Sequence, residues 1–178
     1  MQKKALIMDE KAVARALMRI THEIIERNRG VEDICLVGIK RRGKPLAEQI
    51  AEYIMRYEGV KVPCGELDIH FYRDDLSDSN NAPIIQKAEL PFNVTDRKIV
   101  LVDDVLYTSR TTRAAIGAVF SLGRPREIQL AVLIDRGHRE LPIRADYVGK
   151  SIPTARSETV EVLIPPFDQE TAVWLCQG

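Results

Sequence analysis

An apolar run that ends on two adjacent carboxylates constrains this chain more than any other feature. Ile99-Val-Leu-Val102 lacks the alternation of a strand with one wet face, so it reads as a strand buried on both sides. Such a strand needs neighbours on each edge and helices over both faces. Asp103 and Asp104 follow, where the strand is expected to leave the sheet. Tyr107-Thr-Ser-Arg-Thr111 then supplies hydroxyls and backbone N–H groups at the start of a helix expected over 110–122. A helix N-terminus favours an anion, whereas carboxylates suit a sugar diol as hydrogen-bond acceptors. A ligand with both a phosphate and a ribose satisfies both halves. From the residues alone, the aspartate pair also fits a helix cap or a direct Mg2+ ligand. An acid–base dyad fits poorly, because adjacent residues on an extended chain point to opposite sides.

The rest of the chain alternates in the same way. A helix is expected over 9–29 with Gly30 as its stop, then a strand over 34–39 and a helix over 44–56. A strand follows over 65–71, where Leu67, Ile69 and Phe71 alternate. Residues 72–93 read as a long polar loop, functional or disordered. Strands are expected over 98–102 and 127–134, with shorter ones near Tyr147 and over 160–164, and the tail shows no clear pattern. This order predicts an α/β fold with a parallel sheet covered on both faces. Ligands then bind at the carboxyl ends of the strands. Lys40, Asp103-Asp104 and Asp135-Arg136 therefore fall on one rim.

The 178 residues suit one domain, 1–178. Lys+Arg 26 against Asp+Glu 26 gives no global charge, so a nucleic-acid surface would have to be a local patch. Cys35, Cys64 and Cys176 have no metal-ligand spacing, and Cys35 reads as a core residue. The absence of a signal-like or membrane-length apolar stretch points to a cytoplasmic protein with no membrane partner. Neither a P-loop nor a GxGxxG pattern occurs, which argues against a nucleoside triphosphatase or a dinucleotide enzyme.

Three further segments carry chemistry. Val37-Gly-Ile-Lys-Arg-Arg-Gly43 reads as an anion loop, with glycines for close backbone approach and Lys40, Arg41 and Arg42 for charge; a solvated basic turn is the ordinary alternative. Phe71-Tyr-Arg-Asp-Asp-Leu76 opens the long loop. On the first helix, Arg15, Arg19 and His22 fall within about 60° at helical spacing, with Arg27 beside them and Val13, Leu17, Ile20 and Ile24 on the opposite face. Glu23 and Glu26 share that helix, so an ordinary solvated face stays open.

Residues 99–111 resemble the phosphoribosyl pyrophosphate (PRPP) signature of the type I phosphoribosyltransferases. The resemblance implies that family's fold: a central parallel sheet flanked by helices, with a small hood from the N- and C-terminal segments. It implies that Asp103 and Asp104 hold the ribose hydroxyls within a site of Asp103, Asp104, Val105, Leu106, Tyr107, Thr108, Ser109, Arg110 and Thr111. Tyr107 to Thr111 would wrap the 5′-phosphate. Lys40, Arg41 and Arg42 would bind pyrophosphate, and Tyr72, Arg73 and Asp104 would act in catalysis, the first two from a mobile loop over about 72–93. Mg2+ would arrive mainly with the substrate, with no metal site made by the protein alone. Where the family motif usually has glycine this chain has Ser109; if φ is positive there, serine costs about 1 kcal/mol or more.

Asp135-Arg-Gly-His-Arg139 through Lys150, with Ile152-Pro-Thr-Ala-Arg-Ser-Glu158, resembles one branch of that family, the pyrimidine-operon regulators. The likeness runs from Met8 to about Val162. It implies transfer of phosphoribose to uracil, giving UMP, and binding of leader mRNA in response to uridine nucleotides (UMP, UTP), with transcription attenuation as the outcome. Arg136 and the backbone near Val160 would form the base pocket. Arg15, Arg19, His22, Arg27, Arg139, Arg144 and Lys150 would face RNA, and a homodimer or higher oligomer would extend that surface. An RNA sensor with weak catalysis and a plain base-salvage enzyme are the two alternatives.

Overall fold

Nine strands and three helices make up the described residues of the computed structural model, 2–69 and 87–178. In chain order they are β1 (Gln2–Met8), α1 (Glu10–Asn28), β2 (Ile34–Ile39), α2 (Gly43–Glu58), β3 (Cys64–Asp68), β4 (Lys87–Glu89), β5 (Lys98–Leu106), α3 (Arg110–Leu122), β6 (Glu127–Asp135), β7 (Tyr147–Ser151), β8 (Glu158–Leu163) and β9 (Ala172–Gln177). A six-stranded sheet has the order β4-β3-β2-β5-β6-β7, parallel except for β4. The apolar strand β5 thus lies inside the sheet, as its composition requires.

Alternate residues of the strands feed two cores. Val37, Ile39, Ile99, Leu101, Leu130 and Val132 pack with Ala115, Ala118 and Val119 of α3. Leu36, Val100, Val102, Ala131 and Leu133 pack with Leu17, Ile20 and Ile24 of α1 and Leu46, Ile50 and Ile54 of α2. Each such large side chain, taken out of water, stabilises the fold by about 1.5–3 kcal/mol. Cys35 belongs to the α3-side core and is fully buried, and all three cysteines are free thiols.

Asp9 caps α1 by accepting a hydrogen bond from the Ala12 N–H at 2.7 Å. At the other end Arg29, not Gly30, occupies the left-handed position at φ 56°. Its N–H reaches the Glu26 carbonyl while the Gly30 N–H reaches that of Ile25, the paired bonds of a Schellman end.

The structure departs from the sequence expectation in five places. Strand β5 does not stop at Val102: it pairs with β6 through Asp103↔Val132, Val105↔Ile134 and Leu106↔Asp135, so both carboxylates lie within the strand. The short strand β4 falls inside the span expected to be a loop and pairs with β3. The strand expected over 65–71 is Cys64–Asp68, with buried Ile69 after it. The tail is ordered: β9 forms the middle of a second, antiparallel sheet, β1-β9-β8. Its register joins the two ends of the chain, a pairing that no local pattern encodes. β1 was missed because it is an edge strand carrying exposed Lys3 and Lys4, which blunts its hydrophobic signal.

Candidate functional site

Because β2, β5 and β6 are adjacent and parallel, their carboxyl ends form a single rim. Asp103 is buried at 8% exposure and Asp104 is half-buried. Asp103 Oδ1 accepts from the Asp104 N–H and Asp104 Oδ1 from the Val105 N–H, each at 2.9 Å. Burial first, and then the Asp104 carboxylate, push the Asp103 carboxyl well above the usual carboxylate range. The other oxygens of the pair remain acceptors, which suits ribose hydroxyls or the water shell of a Mg2+ ion. Among the described residues, no group of three or more His, Cys, Asp or Glu side chains could hold a metal ion.

The turn from β5 into α3 is built around Ser109, at φ 73° and ψ 6°, a left-handed conformation that disfavours residues with a Cβ. Its hydroxyl donates to the Ile143 carbonyl at 3.3 Å. The Arg110 N–H lies 3.4 Å from Thr108 Oγ1, while the N–H groups of Thr108, Ser109, Thr111 and Thr112 make no hydrogen bond among the described residues. A cluster of unused donors at a helix N-terminus is an anion cradle. The loop after β6 braces it: the Glu140 N–H donates to the Thr108 carbonyl at 3.1 Å, and Arg110 Nε meets Glu140 Oε2 at 2.7 Å. Val105 is half-buried and Leu106 buried, so both support the turn by packing.

The basic loop after β2 is packed against protein at both of its glycines. A Cβ on Gly43 would meet the Val102 carbonyl oxygen at 2.3 Å, and one on Gly38 the Lys44 Cα at 2.5 Å. The close approach expected of these glycines is therefore made to the chain itself, bringing the start of α2 against β5. The Lys40–Arg41 peptide is cis. Lys40 Nζ lies 3.0 Å from Glu66 and 3.6 Å from Asp68. Arg42 clasps Asp168 from the tail through Nε and Nη2 at 3.0 and 3.1 Å, which holds the Asp168 carboxyl below its usual range. Arg41 is exposed and makes no ion pair among the described residues.

Arg136 follows β6 and is 6% exposed. It donates to the Glu158 carbonyl at 2.6 Å and to Thr154 Oγ1 at 3.3 Å, and its guanidinium lies 4.0 Å over the Tyr107 ring. His138 approaches the same ring edge-on at 6.0 Å, and its Nε2 lies 2.6 Å from the Thr154 carbonyl. Val160 stands half-buried two residues along β8 from Glu158.

The expected RNA-facing residues divide between two places. Arg15 is exposed on α1. Arg19 reaches over β7 to the carbonyls of Val148, at 3.2 Å, and Gly149, and also pairs with Glu23. Arg27 pairs with Asp146 at 2.6 Å beside the Tyr147 ring, and Lys150 is exposed on β7. His22 stacks on Tyr57 of α2 with centroids 4.3 Å apart. Arg144 is exposed in the loop before β7, but Arg139 is turned inward, bonded to Asp135 and to the Ile143 carbonyl. Tyr72 and Arg73 lie outside the described residues. Sequence reasoning missed Glu66, Asp168 and Glu140, the acids that hold the site's cations; only Glu66, a charge set among strand residues, carried a visible signal.

Comparison with known proteins agrees with this geometry. Residues 6–165 match the family described as a phosphoribosyl transferase domain. The chain is similar to the Bifunctional protein PyrR of Caldicellulosiruptor bescii, 59% identical over 97% of this chain and 95% of that one. It is likewise similar to the Bifunctional protein PyrR of Clostridioides difficile, at 57% over 97% and 98%. Among solved structures it shares its fold with the hypoxanthine phosphoribosyltransferase of Trypanosoma cruzi, at TM-score 0.77 and 17% identity, covering 98% of this chain and 96% of that one. The described residues contain no helix long and apolar enough to cross a membrane. With its parallel sheet, its carboxylate pair and its anion cradle on one rim, the chain belongs to the phosphoribosyl transferase family, in the branch of the bifunctional PyrR proteins.

Proposed function

We propose that this protein transfers phosphoribose from PRPP to uracil, giving UMP and pyrophosphate, and that it also binds pyrimidine-operon leader mRNA in response to uridine nucleotides. The observation that carries the first half is buried Asp103 with half-buried Asp104, beside the N–H groups of Thr108, Ser109, Thr111 and Thr112, which are unused among the described residues. The cradle holds the 5′-phosphate and the carboxylates accept from the ribose hydroxyls. The C1′–O bond to pyrophosphate breaks, the bond from C1′ to uracil nitrogen forms, and the proton of that N–H passes to the departing pyrophosphate. Lys40, Arg41 and Arg42, across the rim, stabilise the charge that develops on pyrophosphate. Asp103 and Asp104 would accept from the water shell of a Mg2+ ion carried by PRPP, which would supply further charge neutralisation. Arg136, between the cradle and β8, faces the base together with the Val160 backbone.

The second half rests on the α1–β7 face, where Arg15, Arg19, Arg27 and Lys150 stand on a chain of zero net charge. Phosphate contacts of this kind position RNA and weaken with salt. Arg144 and His22 extend the surface, and a homodimer joins two copies of it. The reading places the protein in the cytoplasm, as one domain, regulating transcription by attenuation.

Uracil transferase assays beside leader-RNA gel shifts, with and without UMP, test both halves. Product formation together with a UMP-strengthened shift is the expected result. Catalysis without any shift leaves a plain salvage enzyme. A shift with negligible turnover leaves a sensor.

A further inference from the structure

The two lysines nearest the pyrophosphate loop converge on one buried carboxylate. Glu66 stands in register with Gly38 across the parallel β2–β3 pair. Lys40 follows Gly38 by two residues, and its N–H is fixed by the Leu67 carbonyl at 2.9 Å. Gly38 has no Cβ to hold off the start of α2, and the Lys44 backbone occupies that space. The strand end and the helix start are thereby brought together over Glu66. Lys40 Nζ reaches Oε1 at 3.0 Å, and Lys44 Nζ reaches Oε2 at 2.7 Å outside hydrogen-bonding alignment.

The burial is uneven. The Glu66 side chain is 8% exposed, whereas those of Lys40 and Lys44 are 30% and 43% exposed. An acid buried for structure alone needs one good partner. This one has two, and both keep an open side. Burial opposes its ionisation, but Lys44 and then Lys40 outweigh it and hold the carboxyl below its ordinary range. Lys40 also stands 3.6 Å from Asp68, so carboxylates of β3 hold the two ammonium groups while part of each lysine side chain stays exposed.

We infer that Glu66 is a positioning residue for pyrophosphoryl binding: it holds the Lys40 and Lys44 ammonium groups side by side, so that both meet the leaving group of PRPP. The inference rests on the proposed transferase reading and adds Glu66 and Lys44 to it. A lysine ammonium is a flexible point charge on a long stem. Fixing two of them before the ligand arrives removes the ordering cost that binding otherwise bears. Each ammonium has three donors, so its ion pair with Glu66 leaves donors for phosphate oxygens.

UMP has no pyrophosphate and so serves as the internal control. Calorimetry with PRPP, with inorganic pyrophosphate and with UMP is run on the wild type, Glu66→Gln and Glu66→Asp. Glu66→Gln, nearly isosteric, is expected to bind PRPP and pyrophosphate about tenfold more weakly, with UMP affinity unchanged. Glu66→Asp keeps the charge but withdraws it by one methylene, and gives a smaller loss of the same pattern; it carries the test if the glutamine variant does not fold. PRPP, pyrophosphate and UMP weakened together, or none of them weakened, overturns the positioning role and leaves the transferase reading intact. A wild type that binds neither PRPP nor UMP overturns both.

Discussion

The guanidinium of Arg136 lies 4.0 Å over the ring of Tyr107, so a residue at the end of β6 is covered by the first residue after β5. This contact joins the proposed base side of the rim to the proposed phosphate side. A cation over an aromatic face in a partly desolvated site contributes about 0.5–2 kcal/mol. Tyr107→Leu is therefore expected to raise the KM for uracil by about three- to tenfold, measured by steady-state kinetics. Arg136→Met also leaves the Glu158 carbonyl without its donor, and is expected to lower stability by about 1–3 kcal/mol in urea unfolding.

Ser109→Gly is expected to stabilise the protein by about 1 kcal/mol, because glycine adopts φ 73° without a Cβ clash. The hydroxyl bond that it loses is long, at 3.3 Å, and so is weak. Urea unfolding checks the stability, and calorimetry checks a gain in UMP affinity from the relaxed cradle. A less stable variant would mean that the tie to Ile143 outweighs the backbone strain.

Asp103 sets a pH dependence opposite to that of an ordinary paired carboxylate. Its native pKa is raised by burial and by Asp104, so the folded protein holds that proton more tightly than the unfolded chain. Its contribution to stability is present at low pH and is lost as pH climbs from the unfolded value of about 3.9 to the higher native one. Asp103→Asn removes this loss. The melting temperature of the variant minus that of the wild type is expected to grow with pH across that window and then level off, although the variant binds PRPP poorly.

Lys150 is exposed on β7 and makes no ion pair among the described residues. Lys150→Ala is expected to weaken leader-RNA binding and to reduce the slope of log affinity against log salt by about 1. Uracil KM and melting temperature should not change. Gel shifts at several salt concentrations provide the measurement.

Much of the fold was legible because its signals are local. The burial of β5 follows from Ile99 to Val102, the α1 start from Asp9, and the α3 bounds from the hydroxyl-rich turn. The extension of β5 through Asp103 and Asp104 was not legible, because charged residues look like a strand end unless a neighbour pairs with them, as Val132 does with Asp103. The inward turn of Arg139 was hidden for a related reason: in sequence it is another cation, and only the fold sets Asp135 beside it.

The amino-acid sequence by itself determined the fold class and the ligand class, since an apolar run, a carboxylate pair and a hydroxyl-rich helix start act over a few residues. Only the tertiary structure decided the company that each charge keeps. Glu66 meets Lys40 and Lys44, Asp168 meets Arg42, and β9 joins β1 to β8, all across long stretches of chain. Electrostatic effects depend on distance and burial, and both are set by packing rather than by spacing along the chain.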